Sequence, residues 1–119
     1  MTAVTTLSVV HTTDLPRMRA FVEAMGFVRA DAADDRVYAS PFTPGSGLLL
    51  KEESRLPYAS VAGHGWVFLE FHVPPEQIWA ALDGLDAAGF ETSCMEHPRL
   101  YEGEAVDPHG RSWHFLHYL

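Results

Sequence analysis

The chain has 119 residues, 47% of them apolar and 20% charged, which describes one folded domain with a real core rather than a disordered chain. Eight basic against 16 acidic residues leave a formal charge of −8, which argues against nucleic acid as a partner, because phosphate binding needs clustered Lys and Arg. A single cysteine, Cys94, excludes an internal disulfide framework and fits a reducing cytosol.

Residues 1–10 have no basic region and no long apolar run, which predicts no signal peptide, and no later stretch predicts a membrane span. Residues 5–10, rich in Val, Thr and Leu, read as a strand. Asp14 or a nearby Thr can cap a helix, and Pro16 suits its first turn. Met18, Phe21, Val22 and Met25 then share one helical face, and Gly26 ends the helix. Phe27 and Val28 lead into a strand. Residues 31–35 form an acidic turn, 36–40 a strand, 41–47 a turn with two Pro and two Gly, and 48–51 a short apolar strand. Residues 52–65 read as a polar connection between halves, with room for a lid over a site.

The second half repeats the order. Residues 66–73 predict a strong strand, and Pro74-Pro75-Glu76 opens a helix. Ile78, Leu82 and Leu85 form its apolar stripe, with Trp79 and Ala81 beside it, and Gly89 closes it. Residues 91–96 and 111–118 predict strands, with Asp107-Pro108-His109-Gly110 as a turn. Ala24-Met25-Gly26-Phe27 matches Ala87-Ala88-Gly89-Phe90 at an offset of 63 residues, and the same offset sets Gly47 on Gly110, each expected just before a strand. Two modules follow, at about 1–56 and 63–119.

Three segments now carry a resemblance: residues 7–14 with 19–27, residues 82–89, and Asp107-Pro108-His109-Gly110-Arg111-Ser112-Trp113-His114-Phe115. Together they resemble the vicinal-oxygen-chelate superfamily of glyoxalases, bleomycin-resistance proteins and dioxygenases, over nearly the whole chain. The resemblance implies an α+β fold: two βαβββ modules forming a curved mixed sheet around a cleft, within a homodimer. Many members hold a divalent metal through residues on the first and last strands of each module. Those positions fall at Leu7, about Val67, Lys51 and His114, the last two related by the same offset. Leucine and valine cannot ligate, lysine is a poor ligand, and one histidine does not hold an ion. A one-residue shift brings in only Thr6, Ser8 or Phe68. The expectation is therefore no metal and no cofactor.

What remains resembles the antibiotic-binding branch, whose members sequester a drug without chemistry, and the His114-Phe115 pair fits that branch. A flat or cationic drug asks for aromatic faces and carboxylates. The candidate ligand contacts are Tyr38, Phe42, Tyr58, Trp66, Phe68, Glu70, Tyr101, Trp113 and His114, with core packing as the competing reading of each aromatic residue. Strand alternation groups Trp66, Phe68, Glu70 and His72 on one side, toward the cleft or toward solvent, and Val67, Leu69, Phe71 and Val73 under the helices. It also groups Ser112, His114 and Leu116 against Trp113, Phe115 and His117, which turns Trp113 toward the core if His114 faces the cleft. His11, His64, His72 and His97 are scattered and His109 sits in the turn.

The function expected is a cytoplasmic, metal-independent small-molecule binding protein. Its ligand would be a cationic or aromatic antibiotic, such as a bleomycin-type glycopeptide, with no nucleic-acid or membrane partner. The alternatives are a metal-dependent lyase, isomerase or dioxygenase with rearranged ligands, or a metal-free biosynthetic enzyme. For that last reading Glu70, Glu102 and Glu104 supply candidate bases. No catalytic residue is required by the sequence: it has no nucleophile elbow and no Walker motif.

Overall fold

The computed structural model describes residues 4–30, 33–57 and 67–119. The chain divides into two compact units, Met1–Ala59 and Ser60–Leu119. Each unit runs strand, helix, then three strands. The first contains β1 (Thr6–Thr12), α1 (Leu15–Met25), β2 (Val28–Arg29), β3 (Val37–Ala39) and β4 (Ser46–Glu52). The second contains β5 (Val67–His72), α2 (Pro75–Ala87), β6 (Thr92–His97), β7 (Leu100–Val106) and β8 (Ser112–Tyr118). Both are βαβββ modules. Each has its own four-stranded sheet, in the orders β1-β4-β3-β2 and β5-β8-β7-β6. First and last strands pair parallel in each, and the remaining pairs are antiparallel.

Local chemistry explains the helices. The Asp14 carboxylate accepts a hydrogen bond from the Arg17 N–H at 3.2 Å and so caps α1, whose second residue is Pro16. The predicted face Met18, Phe21, Val22 and Met25 is buried. Gly26 ends the helix at φ +112°, a left-handed conformation that costs a side-chain-bearing residue strain. Helix α2 starts on Pro74 and Pro75 with Glu76 in its first turn, but no side chain caps it. It buries Ile78, Ala81, Leu82 and Leu85 against its sheet, and Gly89 follows at φ +87°. A buried side chain of this size contributes roughly 1.5–3 kcal/mol.

Strand β7 has no counterpart in the sequence reading. Its sequence, LYEGEAV, places a glycine and two glutamates inside a strand, all disfavoured there. The glycine has a packing cause. A Cβ at Gly103 would stand 2.8 Å from Ile78 Cγ2 and 3.0 Å from Leu82 Cδ1, so the bare backbone lets α2 lie on the sheet. Register also differs from the sequence expectation at β4. The left-handed glycine before this strand is Gly45 (φ +81°), matching Gly110 (φ +78°) before β8, while Gly47 lies inside β4. The closing hydrogen bonds agree: Ser40 N–H to Ser46 C=O in one unit, Asp107 N–H to Arg111 C=O in the other. The offset at the last strand is thus 65 residues, which sets Leu49, not Lys51, in the place of His114.

The turn before β8 is fixed by a buried carboxylate. Asp107 accepts hydrogen bonds from the His109 N–H (2.8 Å), the Arg111 N–H (3.0 Å), Arg111 Nε (2.7 Å) and Trp113 Nε1 (3.0 Å). Both members of the Asp107–Arg111 ion pair are enclosed. The ion pair and these hydrogen bonds offset part of the penalty that burial puts on the two charges.

Candidate functional site

Alternation along β7 decides which side chains share a face. Gly103 and Ala105 lie against α2 and the core, so Glu102 and Glu104 stand on the opposite, open face. The β7–β8 register pairs Glu104 with His114, and Glu102 with Leu116. His114 therefore lies between the two glutamates: its Nδ1 is 3.2 Å from Glu102 Oε1 and its Nε2 is 3.1 Å from Glu104 Oε2. From β6, His97 Nε2 lies 3.0 Å from Glu102 Oε2. The β5–β8 register places Glu70 directly beside His114, and the Glu70 carboxylate meets His72 at 2.9 Å.

The cluster is partly sheltered but reachable. His114 is 13% exposed, Glu102 28% and Glu104 36%. A shallow open groove runs along Ser93, Cys94, Met95, Glu102 and Glu104. Each ring nitrogen of His114 thus faces one carboxylate oxygen. Strands β5 to β8 contain no lysine and no arginine. Among the described residues, the side-chain polar contacts of Glu70, Glu102 and Glu104 are with His72, His97 and His114. Such a face attracts cations, and one imidazole with two carboxylates is also a set of metal-ligand atoms, which here lie within 4.8 Å of one another.

The residues singled out from the sequence fall in different places. Glu70 and His114 share the open face of the second sheet. Trp113 is fully buried, with its ring 6.1 Å from Phe71 and its indole N–H on Asp107, so it is core rather than a ligand contact. Tyr38 is likewise enclosed in the first unit, its hydroxyl donating to Glu23 at 2.9 Å, and burial raises its pKa. Phe68 sits at a register shift in β5, so strict alternation fails there. Its ring packs 5.8 Å from Trp113 and beneath the Arg111 guanidinium at 4.2 Å, rather than beside Glu70. Tyr101 meets Trp79 of α2 edge-on at 6.1 Å, on the helix side of its sheet. Phe42 belongs to the first unit and packs edge-on against Phe27 at 5.9 Å. Tyr58 and Trp66 lie outside the described residues.

Several solved structures share this architecture. A glyoxalase/bleomycin resistance protein from Albidiferax ferrireducens T118 is 22% identical, with a TM-score of 0.63, over 97% of this chain and 98% of that one. The chain has the glyoxalase/bleomycin-resistance/dioxygenase fold. The fosfomycin resistance protein FosX from Mesorhizobium loti shows the same fold at 9% identity and a TM-score of 0.67, over 100% of this chain and 94% of that one. So does a lactoylglutathione lyase from Agrobacterium tumefaciens, at 17% identity and a TM-score of 0.62, over 96% and 92%. No protein-family model matches the sequence, and neither does any curated protein.

The metal positions that the resemblance assigned within this fold do not fit an ion. Leu7 and Val67 are exposed apolar side chains, and the Lys51 ammonium lies 3.6 Å from the Glu53 carboxylate. Leu49, which the corrected offset makes the equivalent of His114, has no donor atom either. The partners that His114 does have, Glu102 and Glu104, were named in the sequence only as candidate bases. The signal available was the Glu-x-Glu spacing, which puts both carboxylates on one face once residues 100–106 are read as a strand.

Proposed function

We propose that the protein binds a cationic small molecule on the open face of its second sheet and releases it unchanged, as an antibiotic-sequestering protein would. The observation that carries this reading is the set of carboxylates Glu70, Glu102 and Glu104 on a sheet without lysine or arginine. The net charge of −8 adds long-range attraction for such a ligand. An aromatic surface stands beside the carboxylates: Tyr118 is well exposed, and its ring is 5.6 Å from His72, the partner of Glu70. Support from relatives is of fold alone, and it includes proteins described as bleomycin- and fosfomycin-resistance proteins.

The reading also takes the protein to be cytosolic, in keeping with an exposed free thiol at Cys94, and to work as a homodimer. Among the described residues no helix is long and apolar enough to cross a membrane. Light scattering coupled to size exclusion tests the dimer, and a monomer mass would remove it from the proposal.

The deciding experiment is equilibrium dialysis of the protein, in the presence of chelator, against a panel of cationic aromatic antibiotics that includes a bleomycin. Mass spectrometry of the recovered ligand follows. Stoichiometric uptake that weakens with salt and weakens at least about tenfold in the Glu102→Gln/Glu104→Gln double variant is the expected result. Recovery of a chemically altered ligand would replace this reading with that of an enzyme working on the same face.

A further inference from the structure

We infer that Glu102, Glu104 and His114 form a binding site for a divalent first-row transition-metal ion, built within the second unit alone. The inference rests on reading this sheet face as a cation site, and it names one class of cation for it.

The donor chemistry comes first. One imidazole nitrogen and two carboxylate oxygens suit zinc(II), cobalt(II) or nickel(II), whereas magnesium and calcium prefer oxygen donors throughout. The spacing agrees. Two donors each about 2.1 Å from one ion stand roughly 3.0–3.4 Å apart at angles between square and tetrahedral. His114 Nε2 stands 3.1 Å from Glu104 Oε2, a spacing in that range, and Glu102 Oε1 lies 3.2 Å from the other ring nitrogen, so a turn of the Glu102 side chain brings the third donor to the same ion. One donor atom from each of the three residues can be chosen so that all lie within 4.8 Å of one another. An ion takes one ring nitrogen in place of its proton. The other nitrogen keeps its N–H and donates to a neighbouring carboxylate, which is how metal-bound imidazoles are commonly oriented.

Rigidity is the second part of the case. All three residues lie on two adjacent hydrogen-bonded strands, with Glu104 paired directly to His114, so no loop has to close to assemble them. Between the two glutamates, Gly103 is held beneath Ile78 and Leu82 of α2, which fixes the strand that presents them. Glu102 is oriented further by His97 on its Oε2 atom, a positioning residue rather than a ligand. The groove along Ser93 and Met95 leaves the cluster open, so water can complete the coordination shell.

Two of these ligands come from β7, a strand that contributes nothing to the ligand positions the resemblance implied. The site therefore differs from those positions in composition and needs no residue of the first unit.

The test is calorimetric titration of the chelator-treated, dialysed protein with zinc chloride, together with visible absorption on titration with cobalt(II). One ion per chain is expected, with intense cobalt bands of low coordination number and no displacement by excess magnesium. Glu104→Gln and His114→Ala should each weaken zinc binding by at least about tenfold, and His97→Ala by less. Lys51→Ala should leave it unchanged. Thermal melts show which variants remain folded, and Glu104→Gln, the most conservative change, keeps the test informative if His114→Ala is unstable. Absence of zinc binding, or binding as tight in folded His114→Ala as in the parent, overturns the site. Organic cations that still bind in chelator while zinc does not would overturn this inference and leave the proposed function standing. Failure of both would remove both.

Discussion

The two units solve the same backbone problem and then diverge on the face the helix leaves open. In the first unit Val9 and Val37 flank Leu49 across β1, β4 and β3. In the second, Glu70 and Glu104 flank His114 across β5, β8 and β7. The hairpin hydrogen bonds and the left-handed glycines make these two trios equivalent, so identical places in the module hold three apolar side chains in one unit and a histidine between carboxylates in the other. On the opposite side both units pack large apolar groups, Tyr38, Leu48 and Leu50 against α1, and Trp113 and Phe115 against α2. Burial beneath a helix constrains that half of each sheet. The half away from the helix lacks that constraint, so its side chains can differ between the units.

The largest difference to probe lies in the turns before the last strands. Asp107 holds a buried guanidinium, an indole and two backbone N–H groups, so Asp107→Ala should destabilise the protein by about 3–5 kcal/mol in urea unfolding. Its counterpart, Ser40, accepts the N–H groups of Phe42 and Thr43, and Ser40→Ala should cost about 1 kcal/mol. Equal losses would show that the two turns are not the unequal structures described above. A smaller effect is expected where α2 meets β7. Gly103→Val must push Ile78 and Leu82 aside, at about 1–3 kcal/mol, and a neutral result would mean that helix and sheet are not packed this closely.

The open faces can be set against each other directly. Glu102→Gln with Glu104→Gln should weaken cation binding at least about tenfold, equivalent to ~1.4 kcal/mol, while Val9→Thr in the first unit should leave it unaltered. Sensitivity to Val9 would mean that the binding face is not confined to the second sheet. The smallest effect concerns the caps. Asp14→Ala should cost about 1 kcal/mol, because its carboxylate caps α1. Helix α2 has no side-chain cap to remove, so Pro74→Ala should change stability less, as paired melting curves would show.

Much of the module was legible because its signals are local. The α1 face, the glycines at 26 and 89, and the proline start of α2 each follow from spacing or backbone preference over a few residues. Strand β7 was not legible, since Gly103 looks like a breaker until α2 is seen lying over it. The aromatic candidates misled for a related reason. A ring suited to stacking on a ligand is equally suited to a core, and Trp113 and Tyr38 went to the core. The register shift at Phe68 undid an alternation argument that holds for Glu70 and His72 on the same strand.

By itself the sequence determined the module, its duplication and the acidic character of the surface, because periodicity, turn residues and charge are properties of neighbours along the chain. Only the tertiary structure decided which side chains cluster on the open face. His114 is separated from Glu104 by 10 residues of sequence and from His97 by 17. They meet because a hairpin folds β7 back on β8 and another folds β6 on β7, and sheet register, set by side chains packed beneath α2, fixes which of them face each other.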